Sequence, residues 1–122
     1  MKALVVDDEK IIRDFLTRFL SLEGVEAKAV EDAFEAVEIS RKEKFDIVFL
    51  ELELPRKTNT ASVIRELKNI NPHTRFMIMT AWLKEDLWEE AKKEGATICL
   101  KKPFELDEII SEIDKVRYLK GL

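Results

Sequence analysis

Short apolar runs alternate with longer amphipathic stretches along this chain. Ala3–Val6 is a compact apolar run bounded by charge, the pattern of a strand buried on both faces. Ile12, Phe15, Leu16 and Phe19 follow at i, i+3, i+4 and i+7, predicting a helix with one apolar face that stops at Gly24. Val25–Val30 alternates apolar with Glu26 and Lys28, a second strand with one wetter face. Asp32 with Glu35 three residues on reads as a helix N-terminal capping pair ahead of Ala33, Ala36 and Val37. Ile47–Leu50 is the most strand-like segment. Val63, Ile64, Leu67 and Ile70 then mark a helix that Asn71-Pro72 ends. Phe76–Met79 predicts a fourth strand. A helix over about 84–94, with Leu87, Trp88 and Ala91 inward, closes at Gly95. Thr97–Leu100 predicts a fifth strand, and Leu106, Ile109, Ile110, Ile113 and Val116 line a last helix. Five such β-then-α units imply an α/β fold, a doubly wound parallel sheet with helices on both faces; periodicity alone leaves the strand order open.

Composition narrows the function classes. The 122 residues suit a single domain over 1–122, and 46% hydrophobic with 38% charged residues is ordinary for a globular chain rich in charge. A net charge of −4 argues against a general nucleic-acid or anionic-membrane surface. Cys99 is the only cysteine, so no intrachain disulfide can form and a reducing compartment fits. The N-terminal apolar run is too short for a signal peptide or a membrane span, and a cytoplasmic location is expected.

In open parallel sheets, sites form beyond the carboxyl ends of the strands, near the point where strand order reverses. The first strand ends in Asp7-Asp8-Glu9, the third in Glu51 with Glu53 beyond it, the fourth in Thr80-Ala81 and the fifth in Lys101-Lys102-Pro103. Carboxylates, a hydroxyl and an ammonium would thus meet at one edge. Crowded carboxylates need a compensating cation, and their hard oxygens suit Mg²⁺ or Ca²⁺. An acidic turn lacking glycines after the first strand is neither a P-loop nor a dinucleotide site.

Val5-Val6-Asp7-Asp8-Glu9, Asp46–Glu51 with Pro55 four residues later, Met79-Thr80-Ala81 and Lys102-Pro103-Phe104 resemble the successive motifs of response-regulator receiver domains, over about residues 2–118. The short form is similar to the single-domain receivers of phosphorelays. The resemblance implies a flavodoxin-like sheet in the order 2-1-3-4-5 with five helices. It implies that Asp7 and Asp8 hold Mg²⁺, directly or through water, with Glu51 beside them and the backbone carbonyl of Glu53 completing the protein ligands. Glu51 stands at the phosphoacceptor position, Lys102 pairs with it, and Thr80 and Cys99 stand at the switch positions. The Lys102–Pro103 peptide is expected to be cis. The partners implied are a sensor histidine kinase or phosphotransfer protein, and a downstream protein target or second copy at the 84–118 face. The domain is not expected to be an enzyme acting on other molecules, and output is expected through protein contacts.

Four positions depart from the family pattern. Glu51 replaces the acceptor aspartate and sets its carboxylate one methylene further out, where a displacement of roughly 1 Å can cost about a hundredfold in rate. Three readings stay open: impaired transfer, imitation of the phosphorylated state, or one fixed state held by Lys102. The imitation would be imperfect, since a phosphoryl group carries about −1.5 to −2 charge and three oxygens. Cys99 replaces the usual switching aromatic. Asn59 stands where glycine is common, at a turn that favours the left-handed region, and Arg56-Lys57 places two cations near the pocket mouth. A phosphorylation-independent interaction domain is the main rival reading. A small Mg²⁺-dependent phosphatase is remote, because such enzymes use Asp-x-Asp and a substrate-covering cap. Asp46 and His73 read as surface residues, and Lys101 as solvent-facing.

Overall fold

The computed structural model describes residues 1–121. Five strands, β1 (Lys2–Val6), β2 (Glu26–Val30), β3 (Ile47–Glu51), β4 (Arg75–Thr80) and β5 (Ala96–Lys101), alternate with five helices. These are α1 (Lys10–Leu22), α2 (Ala33–Lys42), α3 (Thr60–Ile70), α4 (Glu85–Lys93) and α5 (Leu106–Leu119), with a short 3₁₀ turn at Pro55–Lys57. All pairings are parallel, in the order β2-β1-β3-β4-β5.

The unbroken apolar runs of β1, β3 and β4 are explained by two cores. Ala3, Val5, Ile47, Phe49, Met77 and Met79 pack against Leu16 and Leu20 of α1 and Ile109, Ile113 and Val116 of α5. Their alternates Leu4, Val6, Val48, Leu50, Phe76 and Ile78 pack against α2, α3 and Ala91 of α4. Successive strand side chains point to opposite faces, so a strand covered on both sides has no polar position to show. Edge strand β2 keeps Glu26 and Lys28 outward, as its alternation predicts.

Local signals fix the ends of the elements. Asp32 accepts from the Glu35 N–H at 2.9 Å, and Gly95 closes α4 with φ +112. A Cβ at Gly95 would also crowd the flexible end of the Lys68 side chain. The turn after β3 departs from expectation. Asn59 has φ −78 and caps α3, accepting from the Ser62 N–H at 2.9 Å; the left-handed residues are Arg56 and Lys57. A side chain that can bond backbone is better used at a helix start than in the turn itself. Asn59→Ala is expected to cost about 1 kcal/mol of stability by urea unfolding, with the slope unchanged.

Candidate functional site

Sheet order places the site. The chain leaves β1 for β2 on one side and pairs β1 with β3 on the other, so the carboxyl ends of β1 and β3 border the crevice. Val6 pairs with Leu50, which sets Asp7 beside Glu51; Glu51 pairs with Met79, ahead of Thr80, and Thr80 pairs with Lys101, ahead of Lys102. The Lys102 N–H donates to the Thr80 carbonyl at 2.9 Å, and the Lys102–Pro103 peptide is cis.

Lys102 is the hub. Its ammonium lies 2.7 Å from Asp7 Oδ2, 3.0 Å from Glu51 Oε1 and 3.4 Å from Glu9 Oε1. Asp7 is fully buried; its Oδ1 accepts from the Glu9 N–H at 2.9 Å and its carbonyl from Arg13 at 2.9 Å. That turn swings Glu9 round, so the carboxylates that converge are Asp7, Glu9 and Glu51, with oxygens within 4.8 Å of one another. Asp8 is exposed and stands outside this group. Glu53 is exposed too, its side chain pairing with Lys84 at 3.2 Å. Arg56 and Lys57 are exposed at the loop tip, and Lys101 faces solvent.

Glu51 is buried at the end of β3, and its carboxylate folds back on its own chain. Oε2 accepts from the Leu52 N–H at 2.6 Å while Oε1 takes Lys102, so both oxygens are occupied. Below it, Thr60 donates to the Leu52 carbonyl at 2.7 Å and anchors the start of α3 to the site. Thr80 is buried, but its hydroxyl exchanges hydrogen bonds with the Trp82 backbone, donating to the carbonyl at 3.0 Å and accepting from the N–H at 3.2 Å. Cys99 is half-buried on β5 among the α2–α4 core residues.

Charge follows burial. Burial drives the Glu51 carboxyl upward; Lys102 pulls it back, Asp7 adds to the rise, and the net pKa lies above the usual value. Burial lowers Lys102, but its hydrogen bonds to Asp7 and Glu51 outweigh this and hold it above 10.5. Burial and the Glu51 charge push the Cys99 thiol up, so it stays protonated and unreactive at neutral pH. A carboxylate with a raised folded pKa contributes stability below its unfolded value and loses it as pH rises through the folded one. Glu51→Gln is therefore expected to melt higher than the parent protein at pH 7. The difference should close below pH 4.5, and a parent that melts higher at neutral pH would refute the assignment.

One ammonium facing three carboxylates leaves a negative excess, and hard oxygens at this spacing fit a divalent cation such as Mg²⁺. Two features of this end escaped the sequence reading. Glu9 was visible in Asp-Asp-Glu, but only the turn at Asp7 brings it inward. Beside it, Ile11 (74% exposed) and Phe15 (43% exposed) leave an apolar patch on α1, with Phe15 stacked on Phe104 at 6.2 Å. Adjacent Ile11 and Ile12 were the available signal, since a narrow apolar face needs only one of them.

Comparison with known proteins agrees with this architecture. The family model for the response regulator receiver domain matches residues 3–114. Sporulation initiation phosphotransferase F of Bacillus subtilis is 33% identical over 120 residues, 98% of this chain and 96% of its own. The transcriptional regulatory protein PdtaR of Mycobacterium tuberculosis is 34% identical over 116 residues, 93% of this chain and 55% of its own, so the chain spans about half of that longer relative. A CheY-like receiver domain protein from Methanospirillum hungatei superposes with a TM-score of 0.89 at 20% identity, covering 98% of this chain and 96% of the other. Among the described residues no helix is long and apolar enough to cross a membrane. The family match runs from β1 into the body of α5 and takes in every element that builds the acidic end; the chain belongs to the response regulator receiver domains of two-component and phosphorelay signalling.

Proposed function

We propose that this receiver docks a sensor histidine kinase or phosphotransfer protein at its acidic end, with Glu51 in the phosphoacceptor position, and that phosphoryl transfer to Glu51 is strongly impaired. The observation that carries this reading is the engagement of both Glu51 oxygens, one by Leu52 and one by Lys102. An acceptor must present a free oxygen in line with the donor, and the extra methylene instead lets this carboxylate close on its own backbone. Imitation of the phosphorylated state would need Glu51 to hold Thr80. That hydroxyl is committed to Trp82, so the site is read as fixed in one state.

Asp7, Glu9 and Glu51, whose oxygens converge, would hold Mg²⁺, and Asp8 and the Glu53 carbonyl are the further ligands that the family resemblance implies. A bound Mg²⁺ would neutralise phosphoryl charge. The apolar patch at Ile11 and Phe15 supports partner docking beside the pocket, as exposed apolar clusters do. Trp82 (77% exposed) and Leu83 support a downstream contact, or a second copy, at the adjoining 84–118 face. The reading takes residues 1–122 as a single cytoplasmic module with no nucleic-acid partner, and not as an enzyme acting on other molecules. The rival reading, a phosphorylation-independent interaction domain, draws on the same occupied carboxylate.

The test pairs the chain with a purified, phosphorylated histidine phosphotransfer protein. Binding is expected for the parent chain and for Glu51→Asp alike, with label passing only to the latter. Binding without label in either would favour the interaction domain. Rapid label uptake by the parent chain would overturn the proposal.

A further inference from the structure

The end of the sheet opposite Asp7 carries a second concentration of charge, of opposite sign. Asp46 precedes β3 and Arg75 opens β4, so both lie at the amino-terminal edge of the parallel sheet. A cavity of about 750 Å³ opens there between Lys44, Asp46, His73, Arg75 and Lys120. A second of about 660 Å³ adjoins it, shares Arg75 and Leu119, and is walled by Ile110 and Tyr118. Cavities of this size are in the range that takes small organic ligands.

Three features of the first cavity favour an anion. It carries three permanent cations against one carboxylate, on a chain whose net charge is −4. The Asp46 carboxylate is already satisfied: Lys120 pairs with it, and the Lys2 N–H donates to it at 2.8 Å. Lys44 and the half-buried Arg75 form no ion pair among the described residues, which leaves a guanidinium fork free for phosphate. The walls are also held in place. Thr74 donates to the Phe45 carbonyl at 2.7 Å, and the Arg75 N–H to the Asp46 carbonyl at 2.9 Å.

The second cavity sets the polarity. Asp107 and Asp114 border it with Lys115, which is already paired with Glu112 at 3.0 Å, so phosphate is less favoured there, whereas Tyr118 (83% exposed), Leu119 and Ile110 offer an apolar surface. An amphipathic anion with a planar end fits both halves at once. We propose that this basal groove binds a nucleoside di- or triphosphate, the phosphates held by Lys44, Arg75 and Lys120 and the base lying on Tyr118. The inference is independent of what happens at Glu51.

His73 and Tyr118 are the only histidine and tyrosine in the sequence, so each half of the groove has its own proton NMR reporter. ADP titrated into the full chain, with a chelator present to keep metal out of the acidic end, is expected to move both ring signals along one saturating curve. Pyrophosphate should bind more weakly and move His73 alone; adenosine should move neither. Arg75→Gln should weaken ADP binding about tenfold. Lys44→Gln, at an exposed position that carries no packing, should weaken it several-fold and guards against a folding defect in the first variant. Shifts that fail to saturate through the millimolar range, or affinity untouched by both variants, would overturn the site. Pyrophosphate binding as tightly as ADP would overturn the nucleoside assignment.

Discussion

Glu51→Asp is expected to raise phosphoryl labelling by acetyl phosphate and Mg²⁺ by about two orders of magnitude over the parent protein. Shortening the side chain takes away the reach with which the glutamate meets the Leu52 N–H at 2.6 Å, and that oxygen is expected to turn toward the pocket. The remaining chemistry needs no rebuilding: Lys102 already sits 2.7 Å from Asp7, and Thr80 stands buried at the end of the neighbouring strand. Intact mass measured against time gives the rate directly. A variant that labels no faster than the parent would mean that the obstacle lies elsewhere in the pocket, and the role given to the methylene would be wrong.

The second large effect concerns stability. Lys102→Ala removes the one ammonium among three converging carboxylates, two of them buried. Stripping one partner from a buried ion pair typically costs about 3–5 kcal/mol, and solvent access at Glu9 argues for the lower figure. A loss of about 3 kcal/mol at pH 7 is expected in chemical denaturation. Lys102 has its folded pKa raised above 10.5, so its contribution is complete below that value and fades as pH climbs through the raised one. Parent and variant should therefore converge in strong alkali. They should also draw together in acid, where Glu51 takes up its proton early and the repulsion left by the deletion is relieved. Mg²⁺ should restore part of the loss at neutral pH, because a divalent cation binding only the folded pocket stabilises it by mass action. Equal stability of the two proteins at pH 7 would show that solvent already compensates the cluster.

The fold was largely legible because β1, β3 and β4 are covered on both faces and so carry apolar runs that no amphipathic helix would show. Strand order was not legible from periodicity and came from the motif resemblance, since burial pattern does not say which buried strand neighbours which. The site was legible to the level of the strand end. That Asp7, Glu51, Thr80 and Lys102 would share an edge followed from the parallel topology. Which neighbouring acid turns inward did not, because the choice of Glu9 over Asp8 rests on one hydrogen bond from the Glu9 N–H to Asp7. The same holds for Asn59, whose use as a cap depends on where α3 begins, and for Asp46. Read as a surface residue, Asp46 is half-buried, with its pKa held low by Lys120 and the Lys2 N–H against the opposing effect of burial.

Asp46 also brings the two ends of the fold together. It accepts the Lys2 N–H at the first strand and the Lys120 ammonium just past α5, so the start of β1 and the end of α5 meet at one corner. A brief glycine-serine bridge should suffice to join these ends, and new termini opened in an exposed loop should leave the sheet intact. A fluorophore or fusion partner carried at that corner stands a full strand length, about 17 Å, from Asp7. It could report on binding at the acidic end without obstructing it.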